Sequence, residues 1–215
     1  MIDLTRQINH LSDMIQPLRD KPARVIVAVS GPPASGKTTL ADELARRLNA
    51  QKCLTVVVPQ DGFHLDNQVL ESRGDLARKG APHTFDSAGF VHTVRRLKER
   101  ADVIVPVFDR SRDLAIAGAR AIPAQAEVVV VEGNYLLFDQ APWFNLAPLW
   151  SLSVRLDIPA PELRARLIQR WLGHGLSHAA ATRRVTSNDM PNAQAVIEHT
   201  LHADVTFGLD DAVTL

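Results

Sequence analysis

The stretch that decides the fold is AVSGPPASGKTTLADELARRL, which runs from Ala28 to Leu48. An apolar, strand-like run stops at a glycine, turns through two prolines and continues as a helical pattern behind Lys37. Gly31 and the run Gly36–Thr38 match the pattern G-x-x-x-x-G-K-[ST], in the strand-to-helix context that this pattern requires. The segment therefore predicts a phosphate-binding loop.

The chemistry of a bound triphosphate explains the residue types in this loop. Glycines let backbone N–H groups turn inward around a phosphate, and Lys37 would place its charge on the β- and γ-phosphate oxygens. The hydroxyl of Thr38 can ligate Mg²⁺, and the N-terminus of the following helix favours an anion. We expect the nucleotide to contact Gly31, Pro32, Pro33, Ala34, Ser35, Gly36, Lys37, Thr38 and Thr39.

The composition excludes several classes of protein. A chain of 215 residues fits one domain, and its 24 Lys+Arg balance its 24 Asp+Glu, so no overall field favours nucleic acid. Cys53 is the only cysteine, which argues for a reducing compartment. No apolar run approaches the ~18–20 residues of a membrane span, and the N-terminus lacks a signal-peptide pattern. We expect a cytoplasmic protein without membrane insertion or nucleic-acid binding.

Short apolar runs alternate with helical patterns along the chain. The strand candidates are RVIVAVS, LTVVVPQ, DVIVPVF, EVVVVEG, LSVRLDI and ADVTFGL, and the helix candidates cover residues 37–49, 87–101 and 161–172. Several of the strands lack polar–apolar alternation, as expected for strands covered on both faces of a parallel sheet. This order predicts an α/β fold of the P-loop NTPase type, a three-layer sandwich with a central parallel sheet flanked by helices.

Two apolar segments could pack against the core or form a homodimer contact. Apolar residues recur at helical spacing from Leu4 to Ile15, and Pro17 should end that helix near Gln16, which makes residues 1–20 an N-terminal appendage. The second segment is APWFNLAPLW, residues 141–150. Packing against the single domain, residues 1–215, is the favoured interpretation of both.

Acidic residues follow two of the strand candidates. Asp61 follows LTVVVPQ, where a carboxylate can accept a proton from an attacking hydroxyl or hold magnesium; the alternative is a turn cap beside Gly62. Glu132, in EVVVVEG, matches the placement of a Walker B carboxylate that acts on magnesium or its bound water. The predicted metal site is therefore Thr38, Asp61 and Glu132. His64 could contact a substrate or could be packed.

Arginines supply a third element. Arg166 and Arg170 lie four residues apart on one face of a predicted helix, with Arg164, Arg183 and Arg184 nearby. A mobile arginine can stabilise the charge of a transferring phosphoryl group by several kcal/mol, although a solvated basic face is the alternative. We expect residues 160–190 to carry a lid. The guanine motif N-K-x-D is absent and DSAG, Asp86–Gly89, does not follow a buried strand, so a kinase of small molecules fits better than a switch GTPase.

The loop Gly31–Thr38 and the segments QDGFHLDN, RKGAPHTFD, VPVFDRSRD, VVVVEGNYLLF and NDMPNA, in this order, resemble the uridine kinase, phosphoribulokinase and bacterial pantothenate kinase group of P-loop kinases. The resemblance is greatest to the branch of fructose-transport-system kinases or nucleoside-kinase-like proteins, and it spans about Arg24 to Asp204. It implies a five-stranded parallel sheet, with ATP and Mg²⁺ at the loop.

The resemblance also implies roles for single residues. Lys37, Asp61, Arg166 and Arg170 are the implied catalytic residues, with Asp61 as the base. Asp86 resembles the family's acceptor-binding acid, or it caps the helix that begins at Ser87. Asn188 and Asn192 resemble residues near the adenine ring, or they mark a turn. The predicted acceptor contacts are Asp61, His64, His83, Asp86 and Arg110, and Arg78 and Lys79 are neighbours that could equally be solvated.

One departure from the uridine kinases bears on the acceptor. Uridine kinases usually have a tyrosine and a nearby histidine where this chain has VFDRSRD, in which Phe108 lacks the hydroxyl and no histidine occurs. A pyrimidine-selective site would therefore lose polar contacts. Arg110 and Arg112 could instead serve an acceptor with a phosphate or carboxylate, or they could face solvent. We expect an ATP-dependent kinase of a sugar such as fructose or a similar polyhydroxylated metabolite. The alternatives are a uridine, nucleoside or pantothenate-type kinase, a nucleotide-hydrolysing regulator and an idle nucleotide-binding subunit.

Overall fold

The apolar strand ahead of the phosphate-binding loop lies at the centre of a parallel sheet. The computed structural model describes residues 4–209. Its strands are β1 (Val25–Ser30), β2 (Thr55–Pro59), β3 (Val103–Asp109), β4 (Leu114–Ile122), β5 (Val128–Gly133), β6 (Leu152–Asp157) and β7 (Val205–Gly208). Five of them form the sheet β2-β5-β1-β6-β7, in which every neighbouring pair is parallel. This confirms the predicted central sheet.

Helices cover both faces of this sheet. They are α1 (Thr5–Ile15), α2 (Lys37–Ala50), α3 (Asn67–Arg73), α4 (Ser87–Lys98), α5 (Ala160–Gly173), α6 (His178–Arg184) and α7 (Met190–Glu198). A π-helical turn, Val185–Asp189, joins α6 to α7. Short 3₁₀ turns fill several connections, among them Gln60–Phe63 after β2. Within residues 4–209, none of the helices is long and apolar enough to cross a membrane.

The alternation of side chains along β1 divides the core into two layers. Ile26 and Ala28 belong to the cluster that contains the buried residues of α4, whereas Val25, Val27 and Val29 belong to the cluster that contains those of α1 and α2. Because successive side chains of a strand point to opposite faces, a strand buried on both sides must be apolar throughout. All six residues of β1 are buried. The predicted three-layer sandwich is thereby confirmed.

One strand candidate was placed wrongly. DVIVPVF forms β3, which lies outside the parallel sheet and pairs antiparallel with β4 in a hairpin. Ile104 on this strand is 53% exposed, and the register shifts around Pro106, which has no N–H to donate to a ladder. The sequence pattern did not indicate β4, since most of its side chains are exposed. The hairpin, β3 and β4 with the turn between them, contacts the 3₁₀ turn after β2.

The two apolar segments pack against the core in the described residues. Leu11 and Ile15 of α1 are fully buried in the cluster that contains α2. Trp143 and Leu146, from the segment 141–150, are buried in the cluster that contains α4. These four side chains therefore pack against the core of the same chain.

Candidate active site

The carboxyl ends of three neighbouring strands bring the predicted site residues to one edge of the sheet. In the register of the sheet, Ser30 lies beside Gly133 and Pro59 lies beside Glu132. The phosphate-binding loop after β1, the acid in β5 and the acid after β2 therefore converge, because parallel strands end at the same edge. They line a cleft of about 380 Å³.

The backbone of the phosphate-binding loop forms a concave surface. Ala34 and Gly36 have left-handed φ angles of 66° and 98°, so successive N–H groups can turn toward one centre. A side chain at Gly31 would place its Cβ 2.8 Å from the Ser35 hydroxyl oxygen, which only glycine avoids. That hydroxyl is buried and has no hydrogen-bond partner among residues 4–209. An orphaned donor in a left-handed loop fits a phosphate ligand.

Lys37 opens α2 and is buried beneath the loop. Its Nζ donates to the backbone carbonyl of Pro32 at 2.9 Å. Burial lowers the pKa of Lys37 to about 8, while the nearby charges of Glu132 and Asp61 act in the opposite direction. A buried ammonium beside a concave loop can pair with phosphate oxygens in place of the carbonyl.

Glu132 is the buried acid of the site, with 4% of its surface exposed. Burial raises the pKa of Glu132, and the ammonium of Lys37 opposes that shift. A hydrogen bond with Thr38 also favours the charged carboxylate. Thr38 and Glu132 thus lie together beside the loop, with oxygen ligands of the kind that Mg²⁺ prefers.

Asp61 lies in the 3₁₀ turn after β2 and lines the cleft. Its Oδ2 accepts a hydrogen bond from Arg110 Nη2 at 2.9 Å, which forms an ion pair across the cleft. Gly62 fixes this turn against the hairpin, because a Cβ at Gly62 would lie 2.5 Å from the carbonyl oxygen of Pro106. Asp61 is therefore held at a defined position that faces both the loop and Arg110.

His64 lies at the far end of the cleft between two aromatic rings. Its ring centroid is 4.0 Å from that of Phe85 and 4.7 Å from that of Phe108. Burial lowers the pKa of His64, and the Nδ1 atom is 2.8 Å from the carbonyl oxygen of Asp61. A carbonyl only accepts hydrogen bonds, so Nδ1 carries the proton in the neutral ring. The Nε2 atom is then an acceptor for a ligand hydroxyl.

The lid predicted in residues 160–190 corresponds to α5, α6 and the π-helical turn. Arg170 lines the cleft, and burial lowers its pKa. The indole of Trp171 donates to Asp189 at 2.6 Å, and the guanidinium carbon of Arg184 lies 4.3 Å from the Trp171 ring centroid. The contact with Trp171 thus positions Arg184, and Arg170 and Arg184 both line the cleft.

The structure does not bring every predicted residue into this cleft. Arg166 bonds Glu162 at 2.7 Å and lines a second cavity instead, because it lies one helical turn nearer the start of α5 than Arg170 does. His83 lies 3.4 Å from Asp75 and is half exposed. Asp86 accepts from the Gly89 N–H at 2.9 Å, so it caps α4 as the alternative proposed.

The two asparagines both bond to the segment that follows α3. Asn188 donates to the carbonyl of Lys79 at 3.0 Å, and Asn192 accepts from Arg78 at 3.2 Å. They therefore connect the end of the π-helical turn and the start of α7 to the segment around Gly80, which lines the cleft. The expectation that they lie near the adenine ring stays a prediction.

The second cavity lies on the other side of the loop. It measures about 100 Å³ and is lined mostly by apolar groups, including Leu156, Ile158 and Phe207, with Arg166 at its wall. Gly36 and Thr39 line both cavities, so the two spaces meet at the loop. An apolar slot with one guanidinium suits a flat heterocyclic base.

Sequence reasoning missed two residues that shape the cleft. Tyr135 is fully buried, and its hydroxyl donates to the carbonyl of Gly80 at 2.6 Å. Gln60 accepts from the Tyr135 N–H at 3.0 Å and packs against Gly133, where a Cβ would lie 2.2 Å from its Oε1. The tyrosine in EGNYLL, directly after the acid-bearing strand, was the signal that could have indicated this link.

A phosphate-binding loop whose buried lysine shares one cleft with two strand-end acids and an arginine is typical of nucleotide-dependent phosphotransferases. The chain belongs to the phosphoribulokinase/uridine kinase family, whose model matches residues 26–209. The protein is thus a P-loop kinase that binds ATP and acts on an alcohol group of its acceptor. The predicted family is confirmed.

Relatives and a solved structure agree with this assignment. The chain is 33% identical over 184 residues to the uncharacterized protein YggC of Escherichia coli, covering 85% of this chain and 76% of that protein. It is 30% identical over 192 residues to the "Putative uridine kinase C227.14" of Schizosaccharomyces pombe, covering 85% and 82%. The crystal structure of a "putative fructose transport system kinase" from Silicibacter sp. TM1040 is 48% identical, with a TM-score of 0.89 over 96% of this chain and 100% of that chain.

Proposed function

We propose that the protein transfers the γ-phosphate of ATP to a hydroxyl of a sugar or a similar polyhydroxylated small molecule. The observation that carries the proposal is that Lys37, Asp61 and Arg170 line one polar cleft of about 380 Å³. This volume suits a small molecule beside the terminal phosphates. The kinship with the fructose transport system kinase makes fructose the first sugar to test.

The nucleotide site supports ATP bound across the loop. The backbone of residues 31–38 would surround the β-phosphate, and Lys37 would exchange its bond to Pro32 for phosphate oxygens. The apolar second cavity would take the base, with Arg166 against its face. Arg166 is therefore proposed as a nucleotide-binding residue.

Magnesium fits the oxygen atoms that the site offers. Among residues 4–209 no group of three or more His, Cys, Asp or Glu side chains could hold a metal ion. Mg²⁺ is commonly held by one or two carboxylates together with substrate phosphates, and Thr38, Glu132 and Asp61 would supply the protein ligands here. When bound, the ion supplies positive charge to the phosphate oxygens.

Transfer depends on how the chain places the acceptor. Asp61 would accept the proton of the attacking hydroxyl, and His64 Nε2 would accept a hydrogen bond from a second hydroxyl. Arg170 would stabilise the charge on the phosphoryl oxygens, and closure of α5 and α6 would exclude water. Because the proposed reaction consumes ATP and the single cysteine argues for a reducing compartment, we also propose a cytoplasmic location for the protein.

The test is ATP consumption by the purified protein with Mg²⁺, measured without acceptor and with a panel. The panel holds fructose and other sugars, sugar phosphates, pantothenate, uridine and cytidine, and mass spectrometry identifies the product. Stimulation by a sugar or polyhydroxylated member supports the proposal. ATP hydrolysis that no acceptor stimulates would contradict the proposal and favour a nucleotide-hydrolysing regulator. A phosphorylated product from uridine or pantothenate alone would show that the acceptor is not a sugar.

A further inference from the structure

Arg110 is presented to the cleft by a rigid turn between β3 and β4. The Asp109 carboxylate accepts from the Ser111 N–H at 2.9 Å and the Ser111 hydroxyl at 2.6 Å. It also accepts from the Arg112 Nε at 2.8 Å. These bonds hold the pKa of Asp109 well below its usual range, so this network stays intact at neutral pH.

Lys79 fastens the other end of this turn to the wall of the cleft. Its Nζ donates to the Asp113 carbonyl at 2.7 Å and to Asn67 at 2.6 Å, and it lies 3.0 Å from the Asp113 carboxylate. The same ammonium lies 5.2 Å from the centroid of the Phe108 ring. The turn is thus anchored at both ends, and Arg110 extends from it toward Asp61.

The guanidinium of Arg110 is only partly used. It makes one hydrogen bond, from Nη2 to Asp61 Oδ2, and its other N–H groups have no acceptor among residues 4–209. Its side chain is 53% exposed, so water can now solvate these donors. A closed cleft expels that water, and an unpaired desolvated guanidinium is costly.

The neighbouring carboxylates of the turn are already occupied. Asp109 is bonded by Ser111 and Arg112, and Asp113 is bonded by Lys79. Among residues 4–209, Asp61 is the group that is hydrogen-bonded to Arg110, whereas Glu132 interacts with it only through charge; Asp61 is also the proposed base that an acceptor hydroxyl must reach. A hydroxyl can approach the second carboxylate oxygen of Asp61, but the remaining N–H groups of Arg110 then need an acceptor that the described part of the chain does not provide.

We propose that this acceptor is an oxyanion on the substrate itself, so that Arg110 selects a hydroxylated carboxylic acid or a sugar phosphate over a neutral sugar or nucleoside. This inference rests on the proposed function and narrows its substrate class. A guanidinium pairs with a carboxylate or phosphate through two parallel N–H bonds, which fixes the acceptor as well as attracting it. The oxyanion draws Arg110 from Asp61 as the hydroxyl reaches that carboxylate.

The test compares acceptors that differ in one group. Glucose is paired with gluconate and with glucose 6-phosphate, and fructose with fructose 1-phosphate and fructose 6-phosphate; glycerol is paired with glycerate and glycerol 3-phosphate. We expect kcat/KM for one of the anionic members to exceed that of its neutral partner by about 100-fold or more. A preference for the carboxylate members or for the phosphate members identifies which oxyanion Arg110 binds.

Three variants then assign the selectivity to Arg110. Arg110→Ala should reduce the preference for the anionic partner to less than about threefold, mainly through KM, while Arg110→Lys should restore part of it. Arg95→Ala is the control, because Arg95 is an exposed arginine of α4 that does not line the cleft. It should keep the wild-type preference.

Three results would overturn the inference. The first is wild-type phosphorylation of neutral members as efficiently as anionic ones, which leaves the proposed function standing. The second is an Arg110→Ala variant that changes only the KM for ATP, which would assign Arg110 to the nucleotide. The third is hydrolysis without any phosphorylated acceptor across the panel, which contradicts the proposed function as well.

Discussion

Lys37 makes ATP binding depend on pH above neutrality. Its pKa in the free protein is about 8, lowered chiefly by burial. With that value about ten in eleven molecules carry the ammonium at pH 7 and about one in eleven at pH 9. Because phosphate oxygens need the charged form, the apparent Kd for ATP should rise about tenfold between these two pH values. The direction is that of a lowered pKa: the charge is lost as pH rises through 8.

Calorimetry with a non-hydrolysable ATP analogue and saturating Mg²⁺ measures both the affinity and the proton uptake. Bound phosphate restores the ordinary pKa of the lysine, so at pH 9 binding should take up about 0.9 proton per site, which buffers of different ionisation enthalpy reveal. Lys37→Arg is the control, since a guanidinium stays charged and its affinity, although weaker, should not change with pH. A wild-type Kd that is constant from pH 7 to 9 without proton uptake would refute the reasoning.

Three substitutions test other parts of the account. Arg24→Met removes a buried guanidinium that donates to five backbone carbonyls. In denaturant titrations it should lower the free energy of unfolding by about 3 kcal/mol or more, with KM values within about twofold of wild type. A smaller loss would show that the carbonyls find other partners. Gly62→Ala would place a Cβ 2.5 Å from the carbonyl oxygen of Pro106, so the turn that carries Asp61 must shift, and kcat should fall about 10- to 100-fold with an unchanged circular dichroism spectrum. An unchanged kcat would mean that the hairpin does not position Asp61. In steady-state kinetics, Arg166→Ala should raise the KM for ATP with little change in kcat, whereas Arg170→Ala should lower kcat about 100-fold. The reverse pattern would contradict the placement of the two arginines in separate cavities.

The loop and the strand-end acids could be predicted from the sequence because their positions depend on local chain geometry. Gly31 to Thr38 form a contiguous motif, and the sheet register alone brings Glu132 beside β2. Parallel strands that end at one edge bring the residues after them together, whatever the rest of the fold does. Asp61 was found by the same reasoning.

Contacts between distant segments could not be predicted in the same way. The ion pair of Asp61 and Arg110 joins residues 49 positions apart and depends on how the hairpin packs against the turn after β2. The apolar pattern of β3 predicted a strand of the parallel sheet and so gave no sign of the hairpin. Arg166 and Arg170 lie on the same predicted helix, and helical periodicity does not predict which of the two cavities each guanidinium lines. Asp86 satisfied two interpretations, and only the bond to Gly89 showed that it caps a helix.

The central claim is that Asp61 takes the proton of an acceptor hydroxyl during phosphoryl transfer. The most direct measurement is single-turnover transfer by Asp61→Asn and wild type, with the best acceptor of the panel, alongside the Kd for ATP. We predict that the transfer rate falls about 100-fold or more while the Kd for ATP, measured without Mg²⁺, changes less than about threefold, since the amide keeps the shape but accepts no proton. Transfer by Asp61→Asn at the wild-type rate would contradict it.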